Sequence, residues 1–200
     1  MLNPLKPAFK SFYSSAIKST NEKIKKHPIL FASFFACIKN SVADYTIQKT
    51  QDSHKNKDFN IKRTIAFSLF GLIHVGAGQY IILNKIIPRI IPSLNKKPTP
   101  PLNALLKAVT LDQFVHVPLI YFPLFYTFKE LGESTISNPP SRLTIMKNYK
   151  ENFKNDMLIS ASIFMPIQLL NYKYIPTHLR VPLLSSCGFL YVMLLSYLRL

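Results

Sequence analysis

An aspartate and a histidine four residues apart, Asp112 and His116, sit inside the apolar run LDQFVHVPLIYFP, with Gln113 between them. Four residues is about one helical turn, so the carboxylate and the imidazole share a face. Such a pair can move a proton. It can equally bond helices together. Small and polar groups recur at helical spacing in three of the other apolar runs. Ala32, Ala36, Asn40, Asp44 and Gln48 fall four apart and form one small and polar stripe. Gly71, His74 and Gly78 share a face, with Gln79 beside them. Gln168 and Asn171 are three apart, just after Pro166.

No other constellation points to chemistry. His27, His54, His74, His116 and His178 lack zinc-ligand spacing. GLIHVGAG lacks the lysine and hydroxyl residue of a phosphate-binding loop. Ser185, Ser186 and Ser196 lie in an apolar run with no nearby base. Cys37 and Cys187 lack metal spacing and read as buried packing residues. The expectation is a protein that is not an enzyme and holds no metal or cofactor.

The elements carrying these residues are five apolar segments: Ile29–Gln48, Thr64–Leu83, Leu105–Phe128, Met157–Tyr172 and Val181–Leu198. A span needs about 20 mostly apolar residues to cross hydrocarbon ~30 Å thick. The first three reach that length and the last two fall slightly short. PSLNKKPTPPLN and GESTISNPPSR flank the third segment. Strict two-residue alternation is absent, which argues against a membrane barrel. Only KYIPTHLR separates the last two segments, so they either form a tight hairpin or one of them is re-entrant or lies at the interface.

The 200 residues are 48% hydrophobic, with 15 Phe, 10 Tyr and a formal charge of +16. A nucleic-acid binder can carry such an excess. Here the basic residues fall mostly between the apolar runs, as in a membrane protein beside anionic lipid. They divide almost evenly between the two sides, so orientation is not legible. Residues 1–26 hold six lysines and one acid, and Phe9, Phe12, Ala16 and Ile17 recur at helical spacing. They read as a basic amphipathic helix, either interfacial or a transit peptide. The reading is an all-α polytopic membrane bundle of four to six helices. Residues 1–26 form its amphipathic N-terminal segment and 27–200 a single integral membrane domain.

A polar side chain facing lipid is costly, so these groups are expected to face the bundle interior. Asn40, Asp44, Gln48, His74, Asp112, Gln113, His116, Gln168, Asn171 and Arg180 are the candidate pore-lining or interhelical polar residues. They could converge on one interior, as hydrogen-bonded glue or as the wall of a water-filled path. Asp112 lies about seven residues into its segment, or ~10 Å at 1.5 Å per residue, which suggests a mouth and not the midplane.

The motifs resemble the peroxisomal membrane 22 kDa protein family, which also has mitochondrial inner-membrane members. His27–Pro28 looks like its opening motif, and Asp44 with Gln48 its Asp-x-x-x-Gln. Arg63, Gly71 and Gly76 fit its second segment, and LDQFVHVP its Asp-Gln with a proline six after the Asp. In PIQLLNYKYIPTHLR, residues Gln168, Asn171, Tyr172, Pro176 and Arg180 fall at family spacing. LLSYL is similar to its closing motif. The chain departs in having no tryptophan, in Phe164–Met165 where the family has Trp-Pro, and in Ala77 where it has proline. Tyr80 stands at a usual histidine.

The resemblance implies an organelle-membrane protein associated with a channel or permeation path for small solutes, metabolite balance and mitochondrial DNA upkeep. Its carboxylates would bias the interior toward cations unless Arg180 or burial offsets them. The basic N-terminus favours the mitochondrial inner membrane over the peroxisomal membrane. Expected partners are the lipid bilayer and small solutes or metabolites, with homo-oligomerisation open and no nucleic acid. A non-conducting membrane scaffold with the same fold is the alternative.

Overall fold

A computed structural model describes residues 19–52, 58–96 and 99–198, apart from the side chains of 51, 52 and 191–198. The amphipathic pattern at Phe9–Ile17 lies outside the described residues. Among them there are six helices and no strand. They are α1 (19–26), α2 (Pro28–Ile47), α3 (Ile61–Ile90), α4 (Leu102–Glu133), α5 (Arg142–Tyr174) and α6 (Arg180–Leu198).

Local chemistry sets several of the boundaries. Pro28 opens α2, where a missing N–H costs nothing. Asn60 caps α3, its side-chain oxygen accepting from the Arg63 backbone N–H at 3.1 Å. Pro92, Pro100 and Pro101 break the chain between α3 and α4, Pro139 and Pro140 between α4 and α5, and Pro176 between α5 and α6. α5 runs well ahead of the apolar segment expected at Met157. No proline or glycine interrupts Arg142–Met165, so the polar stretch and the apolar one form a single 33-residue helix.

α2 to α6 form a closed ring. Each helix packs on the next, and α6 returns to α2. The α2–α3 seam is a close approach. A Cβ on Gly71 would stand 2.6 Å from the Ala36 carbonyl oxygen, and one on Gly76 would strike the backbone Cα of Ser33. Only glycine lets the two backbones come this near. The apolar core stacks Leu83, Ile87, Ala104, Ala108, Val109 and Val181 at one end. An aromatic cluster of Phe67, Phe70, Tyr121, Phe125 and Phe128 lies between α3 and α4.

Polarity runs from inside to outside. On α2 the stripe Ala32, Ala36, Asn40, Asp44 and Gln48 is buried, while Leu30, Phe34, Ile38 and Val42 on the opposite side are exposed. On α3, Ala66, Phe70 and His74 are buried, and Ile61, Ile65, Leu69 and Ile73 are exposed. Leu119 on α4 is 68% exposed while Asp112 on the same helix is 4% exposed. Water would penalise such a surface, whereas hydrocarbon accepts it. α3 and α4 are long and apolar enough to cross a membrane. Lys39, Asn40 and Asp44 make α2 less apolar, and all three sit within its length.

Among the described residues four stretches widen to an i→i+5 hydrogen-bond pattern: Gln48–Asp52 after α2, Gly71–Gly78 and Ile82–Ile86 in α3, and Asp112–Tyr121 in α4. Such turns are rare and cluster at functional sites. In α4 the Phe122 N–H donates to the Val117 carbonyl. In that register the donor for the Pro118 carbonyl would be residue 123. Pro123 has no N–H, and the Tyr149 hydroxyl of α5 donates to this carbonyl instead, at 2.9 Å.

Candidate functional site

The buried polar residues do not meet in one interior. They form two hydrogen-bonded knots, a link between α2 and α3, and a cavity.

The first knot joins α2 to the start of α3. Arg63 Nε donates to Asp44 Oδ1 at 2.8 Å. The Thr64 hydroxyl and Gln48 Nε2 both donate to Asp44 Oδ2 at 2.7 Å. Gln48 Oε1 accepts from the Asn60 backbone N–H at 2.6 Å. Asn60 Nδ2 reaches the Gly132 carbonyl at 3.1 Å, bringing the end of α4 into the knot. Both carboxylate oxygens of Asp44 are therefore engaged. One turn further into α2, Asn40 Nδ2 donates to the Phe67 carbonyl at 3.1 Å and makes the α2–α3 link.

The second knot joins α4, α5 and α6. His116 Nδ1–H donates to Asp112 Oδ1 at 2.7 Å, and Gln168 Nε2 donates to Asp112 Oδ2 at 2.7 Å. Asn171 Nδ2 bonds to Gln168 Oε1 at 3.1 Å and to the Arg180 carbonyl at 3.3 Å. Arg180 donates to the Ile175 and Tyr172 carbonyls and to Asn84 Oδ1, and it lies over the Tyr172 ring at 4.9 Å. These bonds pin the α5–α6 hairpin to α3. The His74 ring lies 5.4 Å from that of His116. His74 is the fourteenth residue of the 30-residue α3, and Asp112 falls within two turns of the middle of α4. Asp112 and His74 therefore lie nearer the middle of their helices than the ends, whereas Asn171 and Arg180 of the same knot lie at the α5–α6 turn. The helix that carries Asp112 begins earlier than its apolar residues suggest, and that places Asp112 further along it.

The cavity has a volume of about 410 Å³ and takes residues from all five helices of the ring. Lys39 of α2, Gln79 of α3, Asp112 and Gln113 of α4, Asp156, Ser160 and Gln168 of α5, and Ser185 of α6 give it polar groups. Val75, Tyr121, Phe122, Phe125 and Phe164 give it apolar walls. Gln113 Nε2 donates to the Ser160 hydroxyl at 2.9 Å, and the Tyr126 hydroxyl donates to Asp156 Oδ2 at 2.5 Å.

Of the candidate residues, Asp112, Gln113 and Gln168 line this cavity. His116, Asn171 and Arg180 stand behind its wall, with the His74 ring against His116. Asn40, Asp44 and Gln48 face the α2–α3 seam. Sequence reasoning missed Lys39, Asp156 and Ser160. The charge of Lys39 in the middle of the first apolar segment was the signal available for it. Asp156 gave none, because it stands one residue before its segment begins. Cys37 and Cys187 are free thiols, half-buried and not fully enclosed.

Among the described residues no group of histidine, cysteine or carboxylate side chains could hold a metal. In the turn before α6, His178 Nε2–H donates to Asn21 Oδ1 at 2.9 Å and docks α1. Burial, and secondarily the charge of Lys25, lowers the His178 pKa from its usual value.

A closed ring of helices with polar knots inside and an aliphatic surface outside defines a polytopic α-helical membrane protein. Residues 141–196, which span α5 and nearly all of α6, match the model of the Mpv17 / PMP22 family. This is the family that the motifs resemble, and the matched stretch holds Gln168, Asn171, Tyr172, Pro176 and Arg180. No curated protein and no solved structure matches the chain.

Proposed function

We propose that the ring forms a permeation path for small solutes across an organelle membrane, with the 410 Å³ cavity as one segment of that path. The observation that carries this reading is the composition of the cavity wall. Every helix of the ring contributes, and charged and amide groups from four of the helices face the same space. A bundle that needed only glue would satisfy its polar groups pairwise and fill the remaining volume with side chains. The buried Ser185 hydroxyl lines the cavity without a protein partner, and His74 Nε2 and His116 Nε2 are buried nearby in the same condition. Such groups are what water in a path would satisfy. The i→i+5 turns of α3 and α4 border the same region, and irregular backbone at this depth is tolerated where protein or water satisfies it. The reading involves no catalytic step, and the Asp112–His116 pair serves as part of the wall.

Conductance of the purified protein in a planar bilayer tests the path. The expected result is a solute-permeable current whose ion selectivity shifts in Asp112→Asn. A silent wild type overturns the reading.

A scaffold reading draws support from the Asp44 knot, which is saturated and lies away from the cavity. Under it Asp112→Asn lowers stability in detergent and alters no flux. The basic, acid-poor residues 1–26 favour the mitochondrial inner membrane over the peroxisomal membrane. Fractionation of a tagged copy, with protease access to each terminus, checks compartment and topology together.

A further inference from the structure

We infer that the cavity is a binding site for a small organic monocarboxylate, held by the ammonium group of Lys39. This rests on the reading of the cavity as part of a solute path.

Lys39 is the twelfth residue of the 20-residue α2, so its Cα lies near the middle of that helix. Its side chain lines the cavity and makes no ion pair or hydrogen bond among the described residues. Intramembrane cations are normally paired or face a water-filled space, because an isolated charge in hydrocarbon is costly. The acids of the same cavity do not serve as its partner. Asp112 uses one oxygen for His116 and the other for Gln168. Asp156 accepts from the Tyr126 hydroxyl. Asp112 is thus occupied through both oxygens and Asp156 through one, and among the described residues that line the cavity the unpaired donor of full charge is an ammonium. The unpartnered Ser185 hydroxyl is a second donor in the same wall.

The ligand class follows from charge and shape. One ammonium balances one negative charge. The second charge of a dianion would find no cation and would face Asp112 and Asp156. A volume of about 410 Å³ fits a small molecule, within the usual range of roughly 300–1,000 Å³ for ligand sites. The Tyr121, Phe122 and Phe125 rings offer an apolar face for the body of the acid. A carboxylate on a small aromatic or aliphatic frame satisfies all of these conditions.

The test is calorimetric titration of the detergent-purified full chain with benzoate, with neutral benzamide and inorganic phosphate as controls. Benzoate is expected to bind saturably and benzamide to bind at least about tenfold more weakly, because it lacks the charge that Lys39 meets. Phosphate is expected to show no saturable binding. Lys39→Met is expected to weaken benzoate about tenfold or more, while Lys39→Arg, which keeps the charge, stays within a few fold. Elution volume and helical circular dichroism establish that each variant is folded. If Lys39→Met fails to fold, the benzoate–benzamide difference in wild type and the Lys39→Arg affinity carry the decision. Equal binding of benzoate and benzamide, preference for phosphate, or a folded Lys39→Met that binds benzoate like wild type overturns the inference. These outcomes separate from those of the path itself. A conducting protein that does not bind benzoate keeps the path and loses the site, and a silent protein that binds it does the reverse.

Discussion

The hydroxyl of Tyr149 donates to the carbonyl of Pro118 at 2.9 Å, from a residue 31 positions away in the chain. Pro123 creates the need for this bond by withholding the backbone donor of the widened turn. The polar half of α5 thereby holds the irregular stretch of α4 that borders the cavity. Tyr149→Phe is expected to leave a carbonyl without a donor and to cost about 1–2 kcal/mol. Pro123→Ala returns an N–H, so Tyr149→Phe in that background costs less. Thermal unfolding in detergent checks both, and equal losses in the two backgrounds would contradict the account.

Arg63 and Asp44 form an ion pair between largely buried side chains, at 2.8 Å. Removing one partner strands the other. Arg63→Met is expected to destabilise by roughly 3–5 kcal/mol, and Asp44→Asn with Arg63→Gln by less than the sum of the single changes. A double-mutant cycle measures this coupling. Because the pair lies away from the cavity, variants that still fold should keep the ion selectivity of wild type.

The α2–α3 seam at Gly76 faces backbone and not a movable side chain, since its nearest neighbour is the Cα of Ser33. No trimming of Ser33 can relieve a clash there. Gly76→Ala is expected to push the helices apart and cost about 1–3 kcal/mol. The change is read as a lower midpoint of thermal unfolding and a smaller folded fraction on gel filtration. An unchanged midpoint would show that the seam has slack the structure does not contain.

His178 makes the docking of α1 depend on pH. Its pKa is lowered in the folded protein, so the undocked state binds more protons as pH falls. Docking is therefore strongest above the ordinary histidine value of about 6.5 and weakens below it. Hydrogen-exchange protection factors over residues 19–26 should hold steady above about pH 6.5 and fall as the pH drops below it. A His178→Gln variant should show no such fall.

Much of the bundle is legible in the sequence, and the reason is periodicity. The four-residue stripe from Ala32 to Gln48 marks the inner face of α2 because Cβ atoms four apart stack on one side of a helix. The proline clusters at 98–101 and 139–140 mark breaks because proline cannot continue a helix. Periodicity within one helix cannot show which polar stripes meet across helices. Asp44 and Asp112 look alike in sequence, yet one is bonded to Arg63, Gln48 and Thr64 at the α2–α3 seam while the other, bonded to His116 and Gln168, also lines a cavity. The first half of α5 reads as a loop because its surface is polar, although nothing in it breaks a helix. Lys39 looks like an isolated charge until the cavity beside it is seen.

The most direct test of the central claim is cysteine modification in the cavity wall. Ser160 lines the cavity, and the two native thiols, Cys37 and Cys187, are removed by substitution with alanine. In that background the current through Ser160→Cys is recorded in a planar bilayer before and after a charged methanethiosulfonate reagent. A control cysteine replaces Leu119, which is 68% exposed on the outer face of α4. The account predicts that the reagent blocks or strongly reduces the current of Ser160→Cys and leaves that of Leu119→Cys unchanged. A current that survives full modification of Ser160→Cys would contradict it.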